Sequence, residues 1–382
     1  MSDKEKINYF TKRPPFINRV AEKKYLLEYF NGAPTNILFV YGPKSTGKTA
    51  LITKIINLEL DNSKFDINFI NLRMVLMNNF QDFKNLFFPL DLMGKSKKKL
   101  KGLKLDGKVN IPLLGEFGYE WKSEDENMMK SNLFGLMEKK LRELNANGIK
   151  PVIILDEFQY LKNIIIDEKN NLLLVEELFK FFIGITKQYN LCHVVCLTSD
   201  SYYMEELYSD TKLANTSDFY LMEHLSKKDI YYWLEEKENI DKKIVKKIWD
   251  NLGGSVWEIW QVLVSYKNTG DYKFKLDDLL QVKYSLVAEW YNLLEEGLSN
   301  LDLDEKEKDK IKQKIEIFLN IIEKIVKKGE FIRGKDGLAH FELIKELVDK
   351  DLWFYNTKQL KITANSKSLE KAFKRLLKEL IK

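Results

Sequence analysis

Short apolar runs alternate with amphipathic stretches along the chain up to Met222. Runs that stop at a glycine or at polar residues are typical of buried parallel strands, and we find them at Asn36–Tyr41, Phe65–Leu72, Val152–Leu155, Leu191–Leu197 and Phe219–Met222. Apolar residues at helical spacing lie between these runs, clearest over Thr49–Leu58, Leu133–Leu144 and Leu172–Lys187. The alternation predicts an α/β domain whose parallel sheet is covered by helices on both faces.

The pattern becomes purely helical after Ser226. Amphipathic segments continue through Gly253-Gly254-Ser255 to a polar turn at Asn268–Asp271, which we interpret as a domain boundary. The chain beyond it stays helical, with a helix predicted over Phe341–Trp353, two short strands within Phe354–Thr363 and a last helix over Leu369–Ile381. The predicted organisation is a core of residues 1–225, a small helical lid of residues 226–270 and a mostly helical C-terminal domain of residues 271–382.

A glycine-rich segment joins the first predicted strand to the helix that follows it. It matches the phosphate-binding pattern G-x-x-x-x-G-K-[ST] in full, with Gly42, Pro43, Lys44, Ser45, Thr46, Gly47, Lys48 and Thr49. The glycines let backbone N–H groups point at phosphate oxygens, and the helix N-terminus adds a partial positive charge. We expect the Lys48 ammonium to contact the β- and γ-phosphates of ATP and the Thr49 hydroxyl to ligate Mg²⁺. A simple glycine-rich turn is the alternative, which the strand-to-helix setting disfavours.

Two adjacent carboxylates follow the buried strand Val152–Leu155. Asp156 and Glu157 are costly at such a position unless they bind something. We expect Asp156 to hold Mg²⁺ through water, and Glu157 to act as the general base that activates the attacking water; acids that face solvent are the alternative. At the end of the next strand we expect Ser199 to contact the γ-phosphate or that water, with Thr198 or an ordinary polar loop as alternatives.

Packing explains the remaining candidate residues better than chemistry does. Cys192, His193 and Cys196 share a predicted strand. The two cysteines are about 13 Å apart there, too far for one zinc ion or for a disulfide. Trp257 and Trp260 lie at helical spacing, and we expect both in the core of the lid, with base stacking as the alternative.

These motifs resemble a known family. The segments FVYGPKSTGKTAL, VIILDEFQYL and CLTSDS, with Phe16–Glu22 before the first strand and Leu252–Ser255 in the lid, are similar to those of archaeal ATPases of the AAA+/STAND group of P-loop proteins, relatives in fold of archaeal replication-initiator ATPases. The resemblance spans roughly residues 14–265 and implies a five-stranded ATPase core with a helical lid. It also implies that the segment around Arg19 folds over the base side of the nucleotide, although the residue by itself is equally a surface charge.

The chain departs from this family in its arginines. Only six of its 62 basic residues are arginine, and none lies between Arg142 and Arg333. The family commonly has a Gly-Arg pair before the last core strand, where this chain reads LANTSD, and a proline after the paired lid glycines, where it has Ser255. Because an arginine finger contributes about 10³–10⁵ to the rate, we expect slow hydrolysis, or a charge supplied by Arg333, by a lysine such as Lys212, or by a partner.

The distribution of charge suggests a contact surface. The net charge is +5, but residues 358–382 alone carry eight Lys and Arg against two Glu. Replication-initiator relatives have a winged-helix domain after the lid, so the resemblance implies a winged-helix-like unit here that contacts duplex DNA through its phosphates. A solvated lysine-rich helix is the alternative. A second lysine-rich stretch, residues 95–108, is either a surface insertion or another basic contact.

The sequence as a whole predicts an ATP-binding protein. We expect a slow Mg²⁺-dependent ATPase that acts as a nucleotide-controlled switch, on DNA, on a protein partner or within a homo-oligomer. The alternative is a module that ATP stabilises, and that binds DNA or scaffolds a protein with little or no turnover. No apolar run reaches the ~18–20 residues of a membrane span, and the start MSDKEKINYF has no apolar segment. We therefore expect no membrane partner and a cytoplasmic location.

Overall fold

The computed structural model describes residues 13–87, 126–167, 169–209, 213, 215–300, 302–334 and 338–381. The expectations for the lysine-rich stretch 95–108 and for Lys212 fall outside these residues. Within the described ranges, no helix is both long enough and apolar enough to cross a membrane.

A five-stranded parallel sheet is the centre of the first part of the chain. The strands up to residue 221 are β1 Ile37–Tyr41, β2 Phe65–Asn71, β3 Lys150–Asp156, β4 Ile165–Asp167, β5 Leu172–Leu173, β6 His193–Thr198 and β7 Ser217–Leu221. The sheet has the spatial order β2-β3-β6-β1-β7, and every neighbouring pair in it is parallel. The strands β4 and β5 form a separate antiparallel pair. All five sheet strands predicted from the sequence are present.

Helices cover both faces of this sheet, as the sequence predicts. They are α1 Val20–Asn31, α2 Lys48–Leu58, α3 Phe80–Phe87, α4 Glu126–Ala146, α5 Leu174–Ile183 and α6 Ser201–Ser209. Successive side chains of a strand point to opposite faces, so Leu38 packs with α1 and α2 while Phe39 packs with α4, α5 and α6. The helix predicted over Leu172–Lys187 begins two residues later, because Leu172 and Leu173 form β5, and it ends in a π-helical turn, Gly184–Gln188.

The rest of the chain is mostly helical. Its helices are α7 Lys227–Tyr231, which continues as a π-helical turn Tyr232–Lys237, α8 Lys242–Leu252, α9 Val256–Thr269, α10 Lys273–Ser299, α11 Glu305–Lys328, α12 Leu338–Asp349 and α13 Lys367–Leu380. Three short strands, β8 Phe331–Ile332, β9 Trp353–Asn356 and β10 Lys361–Ala364, form an antiparallel sheet with β10 in the middle. Capping boxes at Ser226 and Asp304 begin α7 and α11.

The expectation that both tryptophans of α9 are buried needs correction for one of them. Trp260 is 6% exposed, but Trp257 is 52% exposed, because the buried face of α9 is built from residues 258–260 and 262–264. The strands of the hairpin β9–β10 pack against the protein, whereas residues 358–360 at its tip are exposed. All four residues of β9 are buried, and Phe354 belongs to the apolar cluster on one face of the central sheet. Burying these aromatic side chains stabilises the packed position over an exposed one.

Candidate functional site

The glycine-rich segment wraps around the N-terminus of α2 at the carboxyl end of β1. Gly47 is the residue before the helix and has φ +93°, a backbone conformation that favours glycine. A side chain at Gly42 would meet the carbonyl oxygen of Met222, which is 2.1 Å from the position of its Cβ. Both glycines are therefore required by the path of the loop, which leaves the first N–H groups of α2 directed at its concave side.

Lys48 is buried beneath this loop. Its side chain is 8% exposed, and its Nζ donates to the carbonyl oxygens of Gly42, at 2.8 Å, and Pro43, at 3.0 Å. Burial lowers the pKa of Lys48 to about 8, while the Glu157 and Asp156 carboxylates act in the opposite direction. A cation held here with few hydration partners is stabilised by an anion such as a phosphate.

Thr49 and Asp156, the two expected Mg²⁺ ligands, are in contact. The Thr49 hydroxyl donates to Asp156 Oδ2 at 2.9 Å, and the Asn71 amide donates to the same oxygen at 3.3 Å. Asp156 is 2% exposed, and burial raises its pKa to about 6, against the opposing effect of the Thr49 hydrogen bond. A hydroxyl and a carboxylate are donors that suit Mg²⁺. No group of three or more His, Cys, Asp or Glu within the described ranges could hold a metal, so phosphate oxygens and water would complete its shell.

Glu157 is held in place by two polar side chains, one of which is itself held by a third. Its φ of +60° is rare for a residue with a side chain. Glu157 Oε2 accepts from the Gln159 amide at 2.6 Å, and Gln159 Oε1 in turn accepts from the Thr198 hydroxyl at 2.7 Å. The other carboxylate oxygen pairs with the Arg73 guanidinium. A chain of two hydrogen bonds through Gln159 thus connects Thr198, the alternative to Ser199, to the expected general base.

Ser199 itself is half-buried beside this network. Its neighbour Asp200 accepts from the backbone N–H of Tyr203 at 2.9 Å and begins α6, and it also pairs with Lys162 at 3.3 Å. Within the described ranges Ser199 is not joined to Glu157 by a hydrogen bond, so its predicted contact with the γ-phosphate or the attacking water remains a prediction.

The sequence interpretation missed three residues of this site: Asn71, Gln159 and Arg73. Arg73 lies in the turn after β2, where its backbone N–H donates to Asn71 Oδ1 at 3.0 Å. Asn71 is opposite Asp156 in the register of β2 and β3. The signal was available: carboxyl ends of parallel neighbours meet at one edge of a sheet, so polar residues after β2 belong beside Asp156 and Glu157.

Arg19 is buried and holds neighbouring segments together, and so it is not a surface charge. Its guanidinium pairs with Glu22 at 2.6 Å and donates to the carbonyl oxygens of Thr46, at 2.7 Å, and Glu223, at 2.8 Å. These contacts connect the segment before α1 to the phosphate-binding loop and to the chain that leaves β7. The expectation that Arg19 is near the nucleotide is compatible with this position.

The cysteines and His193 lie in the core, as the packing interpretation expects. Cys192 and Cys196 are free and fully buried, and burial raises the pKa of both thiols. The His193 ring packs edge-on against Tyr29, with 5.1 Å between ring centroids, and burial lowers its pKa to about 4.

The C-terminal part of the chain reaches the same edge of the sheet. Lys44, in the phosphate-binding loop, forms an ion pair with Asp351 just before β9. Ser201 Oγ, at the start of α6, accepts from the backbone N–H of Tyr355 at 3.0 Å. Arg333, one proposed source of a catalytic charge, is engaged elsewhere: it donates to the Tyr355 hydroxyl at 3.0 Å, and its guanidinium lies 3.6 Å from the centroid of the Phe341 ring.

Comparisons with known proteins agree with this geometry. A family model described as an ATPase domain predominantly from Archaea matches residues 16–262. An uncharacterized ATP-binding protein of Methanocaldococcus jannaschii, MJ1076, is 33% identical over 89% of this chain and 93% of its own length. A second protein of that organism and description, MJ0439, is 30% identical over 95% of this chain and 96% of its own. The Walker-type ATPase PABY2304 of Pyrococcus abyssi has a similar fold, with a TM-score of 0.57, 13% identity and coverage of 96% of this chain and 99% of that one.

Proposed function

The chain belongs to a family of ATPase domains found predominantly in Archaea, and on that premise we propose that it is a slow Mg²⁺-dependent ATPase that works as a nucleotide-controlled switch. The observation that carries this proposal is the contact between Thr49 and Asp156 beside the buried Lys48. It places a hydroxyl, a carboxylate and an ammonium at one sheet edge, next to the N-terminus of α2. This set is suited to bind the phosphates of ATP together with a divalent cation.

The proposed reaction assigns a separate task to each group. Loop N–H groups and Lys48 hold the phosphates, and Thr49 and Asp156 hold Mg²⁺, which when bound would neutralise charge on phosphate oxygens. Glu157 takes one proton of the attacking water while the water oxygen bonds to the γ-phosphorus. The bond to the β–γ bridging oxygen then breaks, and ADP leaves with its electron pair. Thr198 and Gln159 orient Glu157 for this step.

Isothermal titration with MgATP tests the binding part of the proposal. Lys48→Ala should weaken binding by at least about 2 kcal/mol, because it removes a charge-assisted contact to the phosphates. Lys24→Ala, an exposed change on α1, is the matched control and should bind as the wild type does. Equal affinity of Lys48→Ala and wild type would contradict the proposed nucleotide site. Phosphate release by the wild type tests turnover, and its absence would favour the module that ATP merely stabilises.

The switch part of the proposal rests on contacts between the nucleotide edge and the C-terminal region. Lys44 pairs with Asp351, and His224 Nε2, just after β7, makes a hydrogen bond of 3.0 Å with the carbonyl of Asn365. Ser368 donates to the buried Glu258 of α9 at 2.9 Å. Rearrangement of the loop around phosphates would therefore act on residues at both ends of the β9–β10 hairpin. A protein partner or a second copy of the chain that binds this region would therefore bind differently according to which nucleotide is present.

Duplex DNA is a second candidate partner, on a surface other than the hairpin. Helices α8 and α13 pack side by side and present six lysines that are exposed or half-buried, Lys243, Lys246, Lys247, Lys371, Lys374 and Lys378. Burial and the neighbouring Lys367 and Lys374 ammonium groups lower the pKa of Lys371. Crowded like charges of this kind favour a polyanion as partner.

Fluorescence anisotropy of labelled duplex with the full-length protein tests this second candidate. Log K should fall with log salt by about 0.9 per phosphate neutralised. The double charge reversal Lys374→Glu/Lys378→Glu should abolish DNA binding. The control Lys306→Glu/Lys310→Glu, on α11, should leave the affinity for DNA unchanged. No binding at low salt, with or without ATP, would leave a protein partner as the better interpretation of this surface.

A further inference from the structure

The Arg73 guanidinium contacts the carboxylate of Glu157, the proposed general base. It forms an ion pair with Glu157 Oε1, and its charge lowers the pKa of both Lys48 and Asp156. Arg73 is therefore close in space to the lysine that holds the phosphates and to the carboxylate that holds the cation. The side chain is 53% exposed, so solvent rather than protein surrounds much of it, and the guanidinium has room to change partners.

Four of the five other arginines of the chain are engaged by different partners. Arg19 braces the phosphate-binding loop, Arg142 pairs with Glu138 at 2.7 Å, and Arg375 pairs with Glu379 at 2.9 Å. Arg333 is held by Tyr355 and Phe341. Arg73 is the arginine in contact with Glu157 within the described ranges. A guanidinium, unlike an ammonium, presents a planar fork that binds two phosphate oxygens at once.

Resting on the proposed function, we propose that Arg73 is the catalytic arginine of this ATPase, supplied in cis from the turn after β2. The terminal phosphate of ATP lies between Lys48 and the water that Glu157 activates, so its oxygens come within reach of a group that already contacts Glu157. The several negative charges of the triphosphate compete better for the guanidinium than the single charge of Glu157. Transfer of Arg73 to the γ-phosphate leaves Glu157 free to accept a proton.

This exchange assigns two linked tasks to one ion pair. With Arg73 on Glu157, the guanidinium occupies the carboxylate oxygen Oε1, which is then not available to the attacking water. With Arg73 on the γ-phosphate, the guanidinium stabilises the charge that spreads over the equatorial oxygens as the bond to ADP breaks, and Glu157 takes the proton of the water. The contribution is specific to the transition state, so kcat rather than ATP affinity should depend on Arg73.

Phosphate-release kinetics with four proteins test the proposal: wild type, Arg73→Ala, Arg73→Lys and the control Arg142→Ala. Arg73→Ala should lower kcat at least about 100-fold and change the Kd of MgATP less than about threefold. Arg73→Lys should be intermediate, because it keeps the charge and loses the fork. Added guanidinium ion should restore part of the rate of Arg73→Ala without accelerating the wild type, a rescue that a merely structural arginine would not show.

A second measurement does not depend on turnover. Binding of MgADP with aluminium fluoride, a mimic of the transferring phosphoryl group, should be lost in Arg73→Ala and kept in Arg142→Ala. If the wild type hydrolyses ATP and Arg73→Ala is equally fast or faster, the assignment of Arg73 is overturned while the proposed ATPase function stands. If the wild type binds MgATP without hydrolysing it and does not bind the mimic, both proposals fail.

Discussion

At the scale of single residues, the candidate site combines charges that are costly to bury. Lys48 and Asp156 are both less than a tenth exposed. Burial lowers the pKa of Lys48 and raises the pKa of Asp156, and both shifts favour the neutral form of the group. Such groups are retained where they bind something of opposite charge. Glu157 adds a backbone with positive φ. Strain and buried charge at one sheet edge are typical of a site that is built for a ligand rather than for stability.

The general-base assignment predicts a separation of binding from turnover. Glu157→Gln keeps the shape of the side chain and removes the base, so kcat should fall at least about 100-fold while MgATP binding changes little. Glu28→Gln, on the exposed side of α1, is the control and should retain full activity. A Glu157→Gln protein that hydrolyses ATP at the wild-type rate would rule out Glu157 as the base. The wild type should itself be slow, and a kcat well above about 10 s⁻¹ would contradict that expectation.

His193 predicts how the stability of the core depends on pH. Its folded-state pKa of about 4 is below the unfolded value of about 6.5, so the unfolded chain binds more protons between these values and stability is lost as the pH falls through this window. The loss from pH 7 to pH 5 should be about 2 kcal/mol. In urea melts, His193→Phe should remove this part of the pH dependence. His340→Phe, at a half-buried position on α12, should keep it, and equal slopes in all three proteins would contradict the assignment.

At the scale of elements, the helices predicted to form the lid, α7 to α9, are joined to the chain after β7 by close backbone contact. A Cβ at Gly254 would lie 2.0 Å from the carbonyl oxygen of Leu225, and the backbone N–H of Leu225 donates to the Gly254 carbonyl at 3.3 Å. The paired glycines between α8 and α9 thus let the lid approach the chain that leaves β7. Glu258 of α9 strengthens this region, since it is buried and pairs with Lys283 of α10 at 3.3 Å.

Gly254→Ala should therefore destabilise the protein by at least about 2 kcal/mol, because backbone on both sides must shift to admit the methyl group. Thermal melts would measure this loss. Gly184→Ala is the matched control: its helical backbone has φ −59°, and no atom lies within 4 Å of the added Cβ. That variant should be as stable as the wild type or more stable by up to about 1 kcal/mol. Equal melting temperatures for the two variants would show that the contact is easily relieved.

At the scale of the whole molecule, the hairpin β9–β10 connects the C-terminal region to the nucleotide-binding edge. It contributes Phe354 to the core of the first domain, and its flanking residues contact the phosphate-binding loop and the start of α6. The C-terminal region has an apolar cluster of its own, and Phe354 and these polar contacts link it to the first part of the chain. The proposed switch requires that these contacts differ between two states, so that a change at one end is transmitted to the other.

The Lys44–Asp351 pair predicts the sign of this coupling. Asp351→Asn removes a negative charge near the phosphates, frees Lys44 and suits the positive φ of the position, so MgATP should bind about two- to tenfold more tightly. The same substitution at Asp309, whose carboxylate pairs with Lys312 on α11, should have no effect. Isothermal titration at low salt decides the matter, and unchanged or weaker binding by Asp351→Asn would argue against coupling through this pair.

The chain by itself determined those features that depend on neighbouring residues. The phosphate-binding loop, the Asp156-Glu157 pair and the five sheet strands could all be predicted, because each is a local pattern of glycine, charge or apolar spacing. The tertiary structure alone decided which distant residues meet. Strand order brings Arg73 to Glu157, 84 positions away, and aligns Thr198 with Gln159. Packing buried β9 and left Trp257 exposed, since burial is settled by the shape of the whole core rather than by any one segment.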